Sequence, residues 1–172
     1  MEEKKTKIVL DADVLIHFSK ADRLSMLPTI LPEYEFIILD IVYQEIGSIQ
    51  SQIDRQIAFL GNIQKEHFPL SKEMMREYAQ LIQNFGRGES ACMAYCRFCH
   101  DVIGSSNVRD ITNYCTANGI TYLTTLDFLY LAFVRKKMTA EECREFMETV
   151  NAKGSHGVPI MDITTYHFDK VI

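Results

Sequence analysis

The sequence has no long apolar run, which limits the class of protein to which it can belong. No stretch among its 172 residues approaches the roughly 20 apolar residues that cross a bilayer. Its charged N-terminus leads directly into an apolar strand pattern, without the apolar core and small-residue cleavage site of a secretory signal. We therefore expect a cytoplasmic protein that has no membrane partner.

Positive charge is also scarce. The chain has 18 Lys and Arg residues against 23 Asp and Glu residues, and its formal net charge of −5 argues against a strong, nonspecific nucleic-acid binder. A nuclease is still compatible, because clustered carboxylates contribute to the negative sum and a bound metal would neutralise part of it. The one short basic cluster, residues 135–137, is either a solvated helix end or a patch that contacts phosphate.

The sequence lacks the paired Cys and His motifs of a zinc site. Cys92, Cys96 and Cys99 share one helical stripe, with His100 beside them, and no second Cys/His pair is spaced to complete a tetrahedral shell. We interpret these cysteines as small buried apolar residues, and the five thiols favour a reducing compartment. There is also no internal repeat, no low-complexity tract and no linker.

Short apolar runs alternate with helical patterns along the chain. This alternation predicts an α/β fold with a central, mostly parallel sheet of four to five strands and helices on both faces. We expect one domain over residues 1–138 and a helical extension and tail, residues 139–172, packed on it. The predicted strands are residues 7–10, 35–39, 101–104 and 120–123, and the predicted helices include residues 41–46, 50–64, 89–99, 108–118 and 127–137.

Acidic and amide side chains follow several of these apolar runs. Because the carboxyl ends of parallel strands meet at one crevice, such side chains are expected to converge there. Gathered carboxylates repel one another unless a cation lies between them, and hard oxygen ligands suit Mg²⁺ or Mn²⁺. We therefore predict a divalent-metal site, a common basis for phosphodiester chemistry. The residues concerned are Asp11, Asp13, Glu45, Glu89, Asn107 and Asp110.

Five segments, in this order, resemble the motifs of PIN-domain ribonucleases. Residues 8–16 resemble the opening strand-to-helix motif, in which Asp-x-Asp precedes an apolar run. Residues 42–46 resemble the second acidic motif, and residues 86–91 the third, a glycine turn into a helix led by Glu. Residues 104–110 are similar to the fourth motif, a strand-end turn, and residues 118–125 to the closing Gly-Ile strand. The resemblance spans residues 7–132.

The resemblance implies a PIN-like fold, a Mg²⁺ or Mn²⁺ site and endoribonuclease activity on RNA. It implies that Asp11, Glu45 and Glu89 are the main metal-site acids and that Asn107 completes the catalytic set. Asn107 stands where a fourth acid is common in the family, and Asp110 is a further metal ligand if it points inward. Many such bacterial proteins are VapC-like toxins that an antitoxin protein neutralises, and many form homodimers.

Simpler roles compete with these functional ones. Asp11 and Asn107 are suitable helix N-caps, and Glu89 is a first-turn residue that a helix dipole would stabilise. Asp127 is also interpreted as a helix cap rather than a site residue, and His17 as structural. At the level of function, the alternatives are a non-catalytic PIN-like module that binds a protein or RNA, and a hydrolase of small phosphate esters.

Overall fold

A five-stranded sheet forms the centre of the protein. The computed structural model describes residues 5–172. All the strand pairs are parallel, in the order β3-β2-β1-β4-β5, so that Val9 of the central strand lies beside Ile37 on one side and Ile103 on the other. The predicted α/β fold class is confirmed. The strands are β1 Lys7–Leu10, β2 Glu35–Leu39, β3 Gln64–Glu66, β4 Val102–Gly104 and β5 Tyr122–Leu123.

Helices flank the sheet and account for most of the remaining described chain. α6 packs on α3, α5 and α7 and lies against β1, β2 and β4, while α1, α8 and α9 pack on one another. The helices are α1 Ala12–Lys20, α2 Leu27–Ile30, α3 Asp40–Glu45, α4 Gln50–Leu60, α5 Lys72–Leu81, α6 Arg87–Cys99, α7 Val108–Asn118, α8 Thr125–Val134 and α9 Ala140–Ala152.

The central strands are apolar throughout because both of their faces are covered. Ile8, Val9 and Leu10 are fully buried, as expected for a parallel strand between two helical layers. Beside them, Gly104 of β4 allows a close approach, since a Cβ there would lie 3.0 Å from Leu10 Cδ2. This packing fixes the carboxyl ends of β1 and β4, and therefore the residues that follow them.

The strands β1 and β2 have the bounds predicted from the sequence, whereas the helix predicted over residues 50–64 was too long. α4 ends at Leu60, and Gly61 follows it in the left-handed conformation with φ 61°. Gln64–Glu66 then forms the edge strand β3. Polar residues are tolerated there because one edge of the strand faces solvent, so the apolar pattern of a buried strand is missing.

The basic cluster at residues 135–137 lies far from the carboxyl ends of the strands. Arg135 donates to the Glu33 carboxylate and to the carbonyl of Ile30, and Lys137 lines a surface cavity together with Glu35, the first residue of β2. The cluster is therefore at the amino end of the sheet. The interpretation as a helix end fits this position, and a role in contacting phosphate at the predicted metal site does not.

The C-terminal segment packs on the helices of the preceding residues. α9 contacts α1 and α8, the Tyr166 hydroxyl donates to Asp127 at 2.8 Å, and the Phe168 ring stacks on Tyr130 with 5.6 Å between centroids. The boundary at residue 138 stays a prediction. Across residues 5–172, the helices are too short or too polar to cross a bilayer.

Candidate metal centre

Asp11 and Asp13 lie where β1 turns into α1. Asp11 is the N-cap of α1, and its carboxylate accepts a hydrogen bond from the Ala12 N–H at 2.8 Å. Asp13 accepts from its own neighbour Val14, at 2.6 Å, and from the Ser106 N–H in the loop after β4, at 2.8 Å. Asp11 is thus both the cap of a helix and the residue that follows a strand. Backbone donors of α1 hold both carboxylates, and the loop after β4 adds a further donor to Asp13.

Ser105 lies between these two carboxylates and is fully buried. Its Oγ is 3.3 Å from Asp11 Oδ2 and 3.4 Å from Asp13 Oδ2. A hydroxyl has one proton to donate, so it can satisfy only one of the two acids at a time. Asp13 already accepts from the Val14 and Ser106 N–H groups, so the Ser105 hydroxyl matters most to Asp11 Oδ2.

Burial makes the charges of this pair costly. Burial, and after it the charges of Asp13 and Glu89, raise the pKa of Asp11 from 3.8 to about 8. Burial also raises the pKa of Asp13. A cation close to these oxygens would have the opposite effect, because it favours the ionised form.

Glu45 approaches from the end of α3 and contacts the start of α6. Its Oε1 accepts from the Gly88 N–H at 3.0 Å. A Cβ on residue 88 would lie 2.3 Å from Glu45 Oε2 and 3.3 Å from Val42 Cγ2, so only glycine leaves room for this carboxylate. The Gly-Arg-Gly turn therefore has a direct role, which is to seat the carboxylate of Glu45 against α6.

Glu89, Asn107 and Asp110 form a hydrogen-bonded bridge between α6 and α7. The side-chain nitrogen of Asn107 donates to Glu89 Oε1 at 2.8 Å and to Asp110 Oδ2 at 2.9 Å. Asn107 occupies the N-cap position of α7, but its side chain makes no capping bond. The amide thus faces two carboxylates with its donor nitrogen, whereas metal ligation would require its oxygen. Burial and then the charge of Asp110 raise the pKa of Glu89 from 4.5 to about 7.

The carboxylates at this edge of the sheet have no cationic partner. Within residues 5–172, none of them forms an ion pair with Lys, Arg or His, although eight ion pairs form elsewhere. Such a set of hard oxygen donors fits Mg²⁺ or Mn²⁺ in charge and in ligand type. The set comprises Asp11, Asp13, Glu45, Glu89 and Asp110.

The donors have not converged on one point. In the described part of the chain, no three His, Cys, Asp or Glu side chains are close enough together to hold a metal ion. The hydrogen bonds explain this separation, because the Ser105 hydroxyl lies between Asp11 and Asp13 and the Asn107 amide lies between Glu89 and Asp110. Side-chain rotations that release these donors would be needed to bring the oxygens around an ion.

A second group of residues supports the loop after β4. The sequence did not single these residues out as a network. Ser106 Oγ donates to Thr125 Oγ1 at 2.8 Å and accepts from the Thr125 N–H at 2.9 Å. Thr125 Oγ1 is also 2.9 Å from Nδ1 of buried His17, and burial lowers the pKa of His17 to about 4. The neutral imidazole of His17 therefore supports the loop through its contact with Thr125. A Ser-Ser turn and a Thr-Thr pair were the only sequence signals of this support.

Two simpler interpretations agree with the structure. Asp127 belongs to a capping box at the start of α8, where its carboxylate accepts from the Thr124 N–H at 2.8 Å. The five cysteines, all within residues 5–172, form no disulfide bond, and four of them are buried, as expected of small apolar residues.

Comparison with known proteins identifies the family. The model of the family DUF3368, described as a PIN domain, matches residues 7–159 and so covers most of the chain and every carboxylate of the candidate site. No curated protein sequence matches the chain.

Proposed function

The chain belongs to the PIN-domain family, and from this membership together with its unpaired carboxylates we propose that it is a metal-dependent endoribonuclease. Asp11, Glu45 and Glu89 would hold Mg²⁺ or Mn²⁺, with Asn107 and Asp110 completing the site. The observation that carries the proposal is the buried carboxylate of Asp11. Its pKa is raised by burial and by neighbouring acids, and none of the described residues supplies a cation.

Each part of the chain has a definite task in this proposal. A bound divalent ion supplies a nucleophilic water and stabilises the charge that develops on the phosphate oxygens. Asp11 would be the rigid ligand, because the Ala12 N–H fixes its carboxylate at the start of α1. Glu45 is positioned by the Gly88 N–H. The Asn107 amide would turn its oxygen toward the ion and release the two carboxylates that it now bridges.

The test is cleavage of a circular single-stranded RNA in the presence of Mn²⁺. A circle has no ends, so its conversion to a linear product reports an endonuclease. We expect the wild type to linearise a pool of random-sequence circles and Asp11→Asn to be inactive, with both proteins equally folded by circular dichroism. Asp54→Asn is the matched control, because Asp54 is an exposed residue that pairs with Lys65 and Tyr43, outside the acidic group.

The result that would refute the proposal is equal cleavage by the wild type and Asp11→Asn. Loss of cleavage in the Asp54→Asn control would also count against it, since the effect would then not depend on the candidate site. Because a random-sequence pool covers many sequence preferences, the absence of any linear product from the wild type would refute the proposal as well.

A second candidate function is a non-catalytic module that binds a protein or RNA. The observation that favours it is the Asn107 amide, which bridges two carboxylates as a donor. This candidate predicts no calorimetric binding of Mn²⁺ by the wild type. The endoribonuclease predicts binding that is lost in Glu89→Gln, so the two hypotheses give opposite results in one titration.

We further propose, from the family resemblance alone, that the protein is the cytoplasmic toxin of a toxin–antitoxin pair and forms a homodimer. Induced expression in a bacterial host should then arrest growth, and Asp11→Asn should abolish the arrest. Light scattering of the purified chain measures the oligomer directly. Normal growth with an active wild-type protein would exclude the toxin role and leave the nuclease proposal intact.

A further inference from the structure

Two arginines, Arg87 and Arg109, stand at opposite ends of a row of site residues. We use the name acid row for Glu45, Glu89, Asn107 and Asp110. Contacts define their order, because Glu45 bonds to the backbone of Gly88, Glu89 follows Gly88 in the chain, and Asn107 bonds to both Glu89 and Asp110. Arg87 precedes Gly88 at the Glu45 end, and Arg109 precedes Asp110 at the other end.

Both arginines are exposed and neither has a partner. In residues 5–172, Arg87 and Arg109 form no ion pair, no side-chain hydrogen bond and no ring contact. Other arginines of this chain do pair with the acids near them, as Arg97 does with Glu77 and Arg135 with Glu33. The absence of pairing next to the three carboxylates of the acid row therefore needs a reason.

The hydrogen bonds of the acid row supply that reason. The carboxylate of Glu45 is turned to the backbone of α6, and those of Glu89 and Asp110 are turned to the Asn107 amide. The two guanidinium groups are consequently left for an anion from outside the protein. Phosphate is the anion for which a guanidinium has the best geometry, because its donors form a planar fork.

We propose that Arg87 and Arg109 bind the backbone phosphates on either side of the scissile phosphate of a single-stranded RNA, an inference that rests on the proposed function. The strand would run along the acid row from the start of α6 to the start of α7. The two arginines offset the repulsion between the carboxylates and the RNA, and they fix which phosphate lies over the site. They are positioning residues, since neither touches the reacting atoms.

The experiment measures RNA binding rather than turnover. The probe is a fluorescent random-sequence single-stranded RNA, titrated with protein in the Glu89→Gln background and in EDTA, so that no cleavage occurs. We compare Arg87→Gln, Arg109→Gln and the double variant at several salt concentrations. Lys136→Gln is the matched control, because Lys136 is an exposed cation just beyond α8, beside the Lys137 that lies at the amino end of the sheet.

Each single variant should weaken binding about fivefold, and the slope of log K against log salt should fall by about 0.7 for each lost phosphate contact. The Lys136→Gln control should keep the affinity and the slope of its parent. Arg87→Lys and Arg109→Lys should recover the slope but only part of the affinity, because the charge is kept and the planar fork is lost.

Two results would overturn the inference. In the first, the double variant binds RNA with the same affinity and the same salt slope as Lys136→Gln. In the second, the parent protein does not bind RNA. The proposed nuclease function can fail independently of this inference. RNA binding that depends on the arginines, without cleavage of circular RNA by the wild type, would refute the nuclease and leave the phosphate contacts standing.

Discussion

Replacing Asp11 by Asn should stabilise the metal-free protein while removing its response to metal. The reason is that the structure buries a carboxylate that has no cation near it. Burial and the charges of Asp13 and Glu89 raise the pKa of Asp11 from 3.8 to about 8. The folded state thus holds this proton more tightly than the unfolded state does. The contribution of Asp11 to stability is complete below about pH 4 and is lost as the pH rises toward 8.

The magnitude follows from this difference in pKa. A tenfold difference in acidity corresponds to about 1.4 kcal/mol, so the rise in pKa from 3.8 to about 8 sets an upper bound of about 6 kcal/mol, reached above pH 8. The variant recovers less than the bound, because Asn loses part of the hydrogen bonding to Ser105 and because the remaining acids ionise more easily without Asp11. We expect a gain of about 2 kcal/mol, or about 4 to 8 °C in Tm for a chain of this size.

The assay is thermal unfolding of wild type and Asp11→Asn in EDTA, at about pH 5 and about pH 8. The gain should be several times larger at the higher pH. His17 acts in the opposite direction, because its pKa is lowered to about 4 by burial and by Lys20. It therefore destabilises the fold as the pH falls from about 6.5 to 4. Since His17 is present in both proteins, its effect cancels in the difference between them.

Addition of Mn²⁺ should reverse the order of stability. The wild type gains about 2.7 kcal/mol at an ion concentration a hundred times its Kd, whereas Asp11→Asn should gain much less. The reasoning would be refuted by a variant that is less stable than the wild type in EDTA near pH 8. In that case the carboxylate would be needed for the packing of β1 against the loop after β4, and its burial would not be the destabilising feature described above.

Two further substitutions separate the site from the fold. Gly88→Ala should change the free energy of unfolding by less than about 1 kcal/mol, because the better helix propensity of Ala offsets the displacement of the Glu45 carboxylate. Calorimetry should nevertheless show about tenfold weaker Mn²⁺ binding, since a Cβ would lie 2.3 Å from Glu45 Oε2. Unchanged Mn²⁺ affinity would remove Glu45 from the site. Asn107→Asp should lower the Tm of the metal-free protein, because an acid replaces the amide that now bridges Glu89 and Asp110. The added charge should tighten Mn²⁺ binding about tenfold. A metal-free variant that is more stable than the wild type would contradict this prediction.

The fold follows from the sequence where burial leaves a strong pattern. The residues of β1 and β2 are apolar because helices cover both faces of these strands, and the predicted bounds of both strands are those observed. The edge strand β3, in contrast, consists of Gln64, Lys65 and Glu66, which no apolar pattern distinguishes from the end of a polar helix. Its pairing with β2 depends on tertiary contacts that have no local signal.

The candidate site is predictable to a similar extent. The sequence places Asp11 and Asn107 after two strands that prove to be adjacent and parallel, so the topology brings both residues to the same edge of the sheet. It says nothing about hydrogen-bond direction. An amide has a donor end and an acceptor end on the same side chain, and only the positions of Glu89 and Asp110 determine that the nitrogen faces them here. The role of Asp13, which anchors the loop after β4, likewise depends on the Ser106 N–H.

The Asn107 amide explains how the metal-free site can persist. Two carboxylates on neighbouring helices would repel each other, and the NH₂ group between them supplies two hydrogen bonds where a cation would supply charge. A neutral donor cannot offset the full repulsion, and the pKa of Glu89 remains raised, to about 7, by its burial and then by the charge of Asp110. In the proposed metal site, an arriving ion would compete with the hydrogen bonds of this amide, which would have to rotate to offer its oxygen. In a protein with Asp at this position the ion would find one more charge, but the metal-free site would lack its bridge. If the proposed site binds an ion, Asn107 would therefore lower the affinity for it and in return order the two carboxylates when no ion is bound.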